Sequence, residues 1–240
     1  MTKKNYNILF YSILFLGYTI FAILMTKAYR EVDKQASTQV SPRFPSVIID
    51  PGHGGEDGGA VSSKGVLEKD INLKISKILR DMLESSGFSV VMTRDTDTSI
   101  YDANLKGLRE KKISDLNNRL RFTESDPNSI LISIHQNKFP KENSKGAQVF
   151  YSDNNNESEA LALHIKQTIS MLQPNNKRQV KNAGSDIFLL REAKVPAVIV
   201  ECGFLSNHEE ASRLASSEYQ KQIAFCIYCA YVEYSKTRVK

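Results

Sequence analysis

Residues 46–60 read SVIIDPGHGGEDGGA. Val47, Ile48 and Ile49 run without polar alternation into Asp50, and then Pro51, Gly52, Gly54 and Gly55 break the pattern around His53. A short apolar run closed by turn residues reads as a strand, and the lack of alternation marks it as buried on both faces, as central strands of parallel sheets are. The same signature recurs along the chain. Strands are expected at Ser46 to Asp50, Phe88 to Arg94, Ser129 to His135, Gly146 to Tyr151, Ile187 to Leu190 and Ala197 to Glu201.

Longer amphipathic stretches lie between these runs. Helices are expected at about Lys69 to Ser86 with Gly87 as the C-terminal stop, at about Ser114 to Glu124, and at about Glu157 to Leu172, where Leu161, Ile165, Ile169 and Leu172 form one stripe. Two more follow the last strand: Ser206 and Glu209 have capping-box spacing, and Ile223, Ile227, Ala230 and Tyr234 form one apolar face. Alternation of the two patterns, without internal repeats, gives α/β patterning over a single domain with about six strands.

Upstream of this domain the composition changes. Ile8 to Met25 is uncharged and almost wholly apolar, and Lys3 and Lys4 precede it. A basic flank before a stretch just long enough to span hydrocarbon is the pattern of an export signal that stays as an anchor, with Thr26-Lys27-Ala28 as an alternative cleavage site. Residues 29–45 are polar, contain two prolines and lack periodicity, which reads as a linker. The expected organisation is therefore a signal-anchor over 1–28, a linker over 29–45 and a catalytic domain over 46–240, held outside the cytoplasm on the membrane.

The formal charge of +5 does not point to nucleic acid. Residues 1–34 carry five basic and two acidic side chains, which leaves +2 for the remainder. Cys202, Cys226 and Cys229 are too few and too clustered for a disulfide framework and read as small packing residues. By strand alternation Cys202 points away from Glu201.

Chemistry concentrates at three expected strand ends: Asp50-Pro51-Gly52-His53-Gly54-Gly55, Ser133-Ile134-His135-Gln136-Asn137 and Val200-Glu201-Cys202-Gly203-Phe204. Open α/β sheets bind ligands at such ends. The glycine-rich loop is a poor phosphate cradle, because it lacks the Gly-Lys-Ser/Thr or GxGxxG pattern and carries Glu56 and Asp57. As a metal site the pattern is coherent: zinc in hydrolases takes imidazoles and a carboxylate and keeps one position open for water. His53 and His135 supply imidazoles. Glu56, Asp57 or Glu68 supplies the carboxylate, and Glu68 alone stands at the start of an expected helix. Glu201, at the end of a buried strand, carries a charge that is costly there without a partner or a task. His164 and His208 sit on expected helices and read as surface or structural groups, Arg94 and Arg119 as site-supporting or ion-paired residues, and Asn137 as a group able to orient substrate.

VIIDPGHGGEDGGA, GVLEKDINL, SILISIHQN and PAVIVECGFLSNHEE, in this order, resemble the type 3 family of zinc-dependent N-acetylmuramoyl-L-alanine amidases, over about Ser46 to Tyr234. The resemblance implies an α/β fold with a twisted, mostly parallel sheet of about six strands flanked by helices, and one zinc ion per chain bound by His53, Glu68 and His135, with Glu201 as the catalytic base. It implies peptidoglycan as substrate, cut between the muramic acid lactyl group and the first alanine of the stem peptide. Relatives are often held inactive until a partner protein binds, so an activating extracytoplasmic partner is also implied. Two features depart from many members: this chain has no wall-binding repeats and no long inhibitory helical insertion. A small domain behind one apolar segment is most similar to the sporulation amidases, which act with a deacetylase to make muramic lactam in spore cortex. Two other functions compete: a zinc peptidase or amidohydrolase with another substrate, and a non-catalytic wall-binding protein, which would need a broken site.

Overall fold

The computed structural model describes residues 17–27 and 44–238. The chain divides into two units, Met1–Arg43 and Phe44–Lys240. In the first, residues 17–27 are helical, while residues 1–16 and 28 of the expected anchor and residues 29–43 of the linker lie outside the described residues. Among the described residues no helix is long and apolar enough to cross a membrane.

The second unit is an α/β domain built on a six-stranded sheet of order β2-β1-β3-β6-β4-β5. The strands are β1 (Val47–Pro51), β2 (Val90–Met92), β3 (Ile130–Asn137), β4 (Gln148–Tyr151), β5 (Lys181–Asn182) and β6 (Ala197–Phe204). All neighbours pair in parallel except β4 and β6, which are antiparallel. The helices are α1 (Glu68–Ser85), α2 (Leu108–Glu124), α3 (Glu157–Leu172), α4 (Phe188–Glu192), α5 (His208–Leu214) and α6 (Ser217–Arg238).

The apolar side chains divide between the two sheet faces by the period of two that strands impose. Val47, Ile49, Ile130, Ile132, Ile134, Val198 and Val200 pack with α1, α3 and α6 in one core. Ile48, Leu131, Ala197 and Ile199 pack in a second core with Leu190 and Leu120 from α4 and α2. The same alternation puts Asp50, Ser133, His135 and Glu201 on the α2 face and Gln136 and Cys202 on the α1 face.

Two stripes run along α1. Ile71, Ile75, Leu79 and Leu83 fill the core at a spacing of four, and beside them Glu68, Asn72 and Ser76 are buried polar groups. The helix ends in a Schellman motif: the Gly87 amide donates to the Glu84 carbonyl and the Phe88 amide to the Leu83 carbonyl. Gly87 adopts φ 83, a conformation that disfavours a side chain.

Four expectations are corrected. Ile187 to Leu190 is not a strand; Phe188–Glu192 forms the short helix α4. The sixth strand is β5, a two-residue exposed segment. Helix α2 starts at Leu108, six residues before Ser114. Helix α5 is capped by Asn207, whose side chain accepts from the Glu210 amide, so the cap lies one residue beyond Ser206.

Candidate metal and catalytic site

Three loops and helix starts meet at the ends of β1 and β3. The loop leaving β1 carries His53 at φ 62, the one positive-φ residue other than glycine among the described residues. Such a conformation costs a side-chain residue about 1 kcal/mol or more and persists only where the surroundings hold it. Here Arg94 and Arg119 hold it. Arg94 donates to the carbonyls of Pro51 (2.9 Å) and Gly52 (3.0 Å), and Arg119 to those of Pro51 (2.9 Å) and His53 (2.8 Å). Both arginines are buried, so their role is to brace the loop and not to pair at the surface. Arg119 is anchored in turn by Asp50 and Asp115, each at 2.6 Å. Burial penalises the Asp50 charge, but Arg119, Ser133 and Thr93 outweigh that and hold its carboxyl down at about 2.

Inside the loop Gly52 is required by contact: a Cβ there would come within 2.2 Å of the His135 ring. A Cβ on Gly59 would meet the Glu68 carboxylate at 2.6 Å and the His53 ring at 2.7 Å.

The structure brings His53, Glu68 and His135 together, with one ligand atom of each within 4.8 Å of the others. Glu68 Oε2 is 3.3 Å from His53 Nε2, and Glu68 Oε1 is 3.0 Å from His135 Nδ1. The carboxylate is fixed by further donors: the amides of Ala60 (2.8 Å) and Gln136 (2.9 Å) and the Asn72 amide group (3.4 Å). Burial raises the Glu68 pKa, yet the two histidines carry it well below the usual carboxylate range. On its other side His53 Nδ1 lies 2.9 Å from Asp57 Oδ2. Burial disfavours the imidazolium, but Asp57 and Glu68 reverse that and raise His53 to about 9.

Two imidazoles and a carboxylate on one small volume, with His53 oriented by Asp57 and Glu68 by Ala60, Gln136 and Asn72, form the donor set that zinc takes in hydrolases. The residues fit the ion. Glu56 and Asp57, the other loop carboxylates, lie outside the triad: Glu56 is 2.9 Å from Lys111, and Asp57 supports His53.

Glu201 sits within β6 and not at its end, opposite His135 in the register of β3 and β6. Its Oε2 is shielded from solvent and has no hydrogen-bond partner. Burial is the main cause that pushes its pKa up to about 7; His135 opposes the rise and Glu68 adds to it. A carboxyl poised near neutrality beside a metal-ligand triad is suited to exchange protons.

The site opens on a cleft of about 330 Å³ whose lining includes His53, His135, Tyr101, Leu108, Lys111 and Leu189. Sequence reasoning missed Asp50, Asn72, Gln136 and the α4 residue Leu189. Of these, Asn72 carried a signal: it follows Glu68 by four on the same helix face. Asn137 ends β3, and its carbonyl accepts from the Leu205 amide. His164 packs against the Tyr234 ring and His208 is exposed at the start of α5, so neither joins the site. Cys202 is fully buried in the α1-side core, as alternation requires.

The family model described as N-acetylmuramoyl-L-alanine amidase matches residues 47–231, which span all four motifs and every residue of this site. The chain belongs to the N-acetylmuramoyl-L-alanine amidase family. It is 34% identical over 219 residues to the germination-specific N-acetylmuramoyl-L-alanine amidase of Bacillus subtilis, covering 91% of this chain and 92% of that one. Among solved structures it is similar to the CwlD amidase of Clostridioides difficile in complex with the GerS lipoprotein. The TM-score is 0.76 at 36% identity, over 80% of this chain and 99% of that one. The AmiC2 amidase of Nostoc punctiforme follows at a TM-score of 0.69 and 32% identity, over 82% of this chain and 99% of that one. Membership makes the chain a hydrolase of the amide between N-acetylmuramic acid and L-alanine.

Proposed function

We propose that this amidase works with one zinc ion held by His53, Glu68 and His135, and with Glu201 as its general base, on the peptidoglycan of the spore cortex. The observation that carries the reading is the enclosed, unpartnered Oε2 of Glu201 beside three convergent metal donors. Zinc in such a set lowers the pKa of a water toward neutrality and polarises the scissile carbonyl.

The protein's own residues do the rest. Glu201 accepts the proton of the attacking water and delivers it to the alanine nitrogen, which then leaves as an amine and not as an amide anion. In the metal-free chain burial raises the Glu201 pKa to about 7, and the charge of a bound zinc would lower it toward the carboxylate that accepts the proton. Asp57 keeps the His53 ring aimed at the metal through Nδ1, and Asn72 and the Gln136 amide keep the Glu68 carboxylate in place.

The cortex assignment, with muramic lactam as the downstream product, is supported by likeness to a relative named germination-specific. A partner protein is supported by the GerS complex of the CwlD relative. Attachment outside the membrane is supported by the apolar run Ile8 to Met25 behind Lys3 and Lys4.

The test is incubation of the full-length chain, in detergent and with zinc, with purified peptidoglycan. The expected product is new N-terminal alanine on free stem peptides, abolished by a chelator. Release of other termini, or chelator-resistant release, would point to different chemistry. Recovery of the intact chain from a cytosolic fraction without detergent would exclude the anchored location.

A further inference from the structure

The loop that carries His53 turns back on itself at once. The Gly54 amide donates to the Asp57 carbonyl (2.9 Å) and the Asp57 amide to the Gly54 carbonyl (3.1 Å), so the metal ligand His53 and its support Asp57 stand at the two ends of one tight turn. Gly55 lies within that turn at φ 56. A Cβ on it would meet Ser99 Oγ at 2.7 Å and the Ser99 amide nitrogen at 2.8 Å, so the turn rests directly on the segment that follows β2.

Both backbone groups of Gly55 are taken by one ion pair. Its amide donates to Asp97 Oδ1 (2.9 Å), its carbonyl accepts from Lys69 Nζ (2.7 Å), and Lys69 Nζ lies 2.8 Å from Asp97 Oδ2. Glycine, ammonium and carboxylate thus close a ring. Asp97 is half-exposed, but the Lys69 side chain is only 12% exposed, so the pair is screened less than the surface pairs that contribute little. Lys69 directly follows Glu68 in α1, and its carbonyl accepts from Arg94 (2.9 Å), the same guanidinium that holds Pro51 and Gly52. Lys69 and Asp97 both lie outside the cleft lining, so they act on the site through what they hold.

We propose that Lys69 and Asp97 are positioning residues for the metal-ligand triad: as one clamp on Gly55 they fix the spacing between the turn that bears His53 and the helix start that bears Glu68. The inference rests on the zinc reading above and adds two residues on which zinc affinity depends. A clamp and a bare charge effect differ in sign. Through space an ammonium repels a dication and a carboxylate attracts it, so loss of Lys69 would strengthen zinc binding and loss of Asp97 would weaken it. A clamp requires that loss of either weakens it.

The experiment titrates zinc into the full-length chain in detergent, and into its K69M, D97A and K69M/D97A forms, against a competing chelator. The melting temperature of each is also recorded without metal. Each single change should weaken zinc by about 10- to 100-fold, the range for groups that orient metal ligands. The double change should cost about as much as the larger single one, because a turn released by one arm gains little from the other. Metal-free melting temperatures should stay within about 4 °C of the parent, which separates positioning from a general loss of the fold. Zinc affinity in K69M equal to or above the parent's would overturn the clamp, as would losses that add in the double form or that track a larger fall in the metal-free melting temperature. A parent that binds no zinc would instead defeat the zinc reading, and this inference with it.

Discussion

Glu201 and His135 are register partners on adjacent parallel strands, and both project from the α2 face of the sheet. The pairing sets a carboxyl that has no hydrogen bond at Oε2 next to an imidazole committed to Glu68. The first is a candidate proton acceptor; the second belongs to the candidate metal-binding triad.

Zinc occupancy should separate ligands from supports. His135→Ala is expected to lose zinc at stoichiometric concentration, because two protein donors remain of three. Asp57→Asn keeps the ring in reach but removes the charge behind Nδ1, and should weaken zinc by about 10- to 100-fold with the fold intact. Metal titration with a competing chelator reads both. Equal affinity in Asp57→Asn and parent would remove Asp57 from the account.

Zinc must also displace a proton from His53, whose pKa is raised to about 9. The sign follows from linkage. In the metal-free chain the His53 contribution to stability is fully present below about pH 6.5, its unfolded value, and is lost as pH rises through about 9. Below about pH 9 zinc binding to the folded chain should release about one proton from His53, so apparent affinity rises with pH until about 9 and then levels. Calorimetry in buffers of different ionisation enthalpy counts that proton. Release that does not fall off above pH 9 would contradict it.

Stability should depend on the braces as strongly as on the core. Arg119→Leu leaves Asp50 buried and unpaired against the end of β1 and frees the carbonyls of Pro51 and His53. Breaking one partner of a buried pair costs about 3–5 kcal/mol. The denaturant midpoint should fall accordingly, and the companion Asp50→Asn in the same chain should recover part of the loss. A midpoint within error of the parent would mean the loop is held by other contacts.

Most of the site was legible in the sequence because strand-end motifs need little tertiary context. The runs before His53, His135 and Glu201 are apolar at nearly every position, and the structure buries them in the sheet. Other elements were hidden for identifiable reasons. Phe188 to Leu190 is a short apolar run, and periodicity cannot tell a strand from a buried helical turn at that length. Lys181–Asn182 is polar and exposed and joins the sheet only by backbone pairing with β4. The first turns of α2 expose Leu108, Arg109 and Glu110, so no buried stripe announced them, and Ser114 looked like a cap. Asn72 and Gln136 support Glu68 from a helix turn and a strand end that are 64 residues apart. Such partnerships exist only in the folded chain.

The central claim is the division of labour between a metal-binding triad and a separate base at Glu201. The direct test is Glu201→Gln, which keeps the side chain's shape and removes its capacity to accept a proton. Zinc content, melting temperature and the rate of N-terminal alanine release from peptidoglycan are measured against the parent. The account predicts unchanged zinc and an intact fold, with turnover lowered by about two to four orders of magnitude. Full zinc with activity within about tenfold of the parent would contradict it, as would loss of the metal together with the activity.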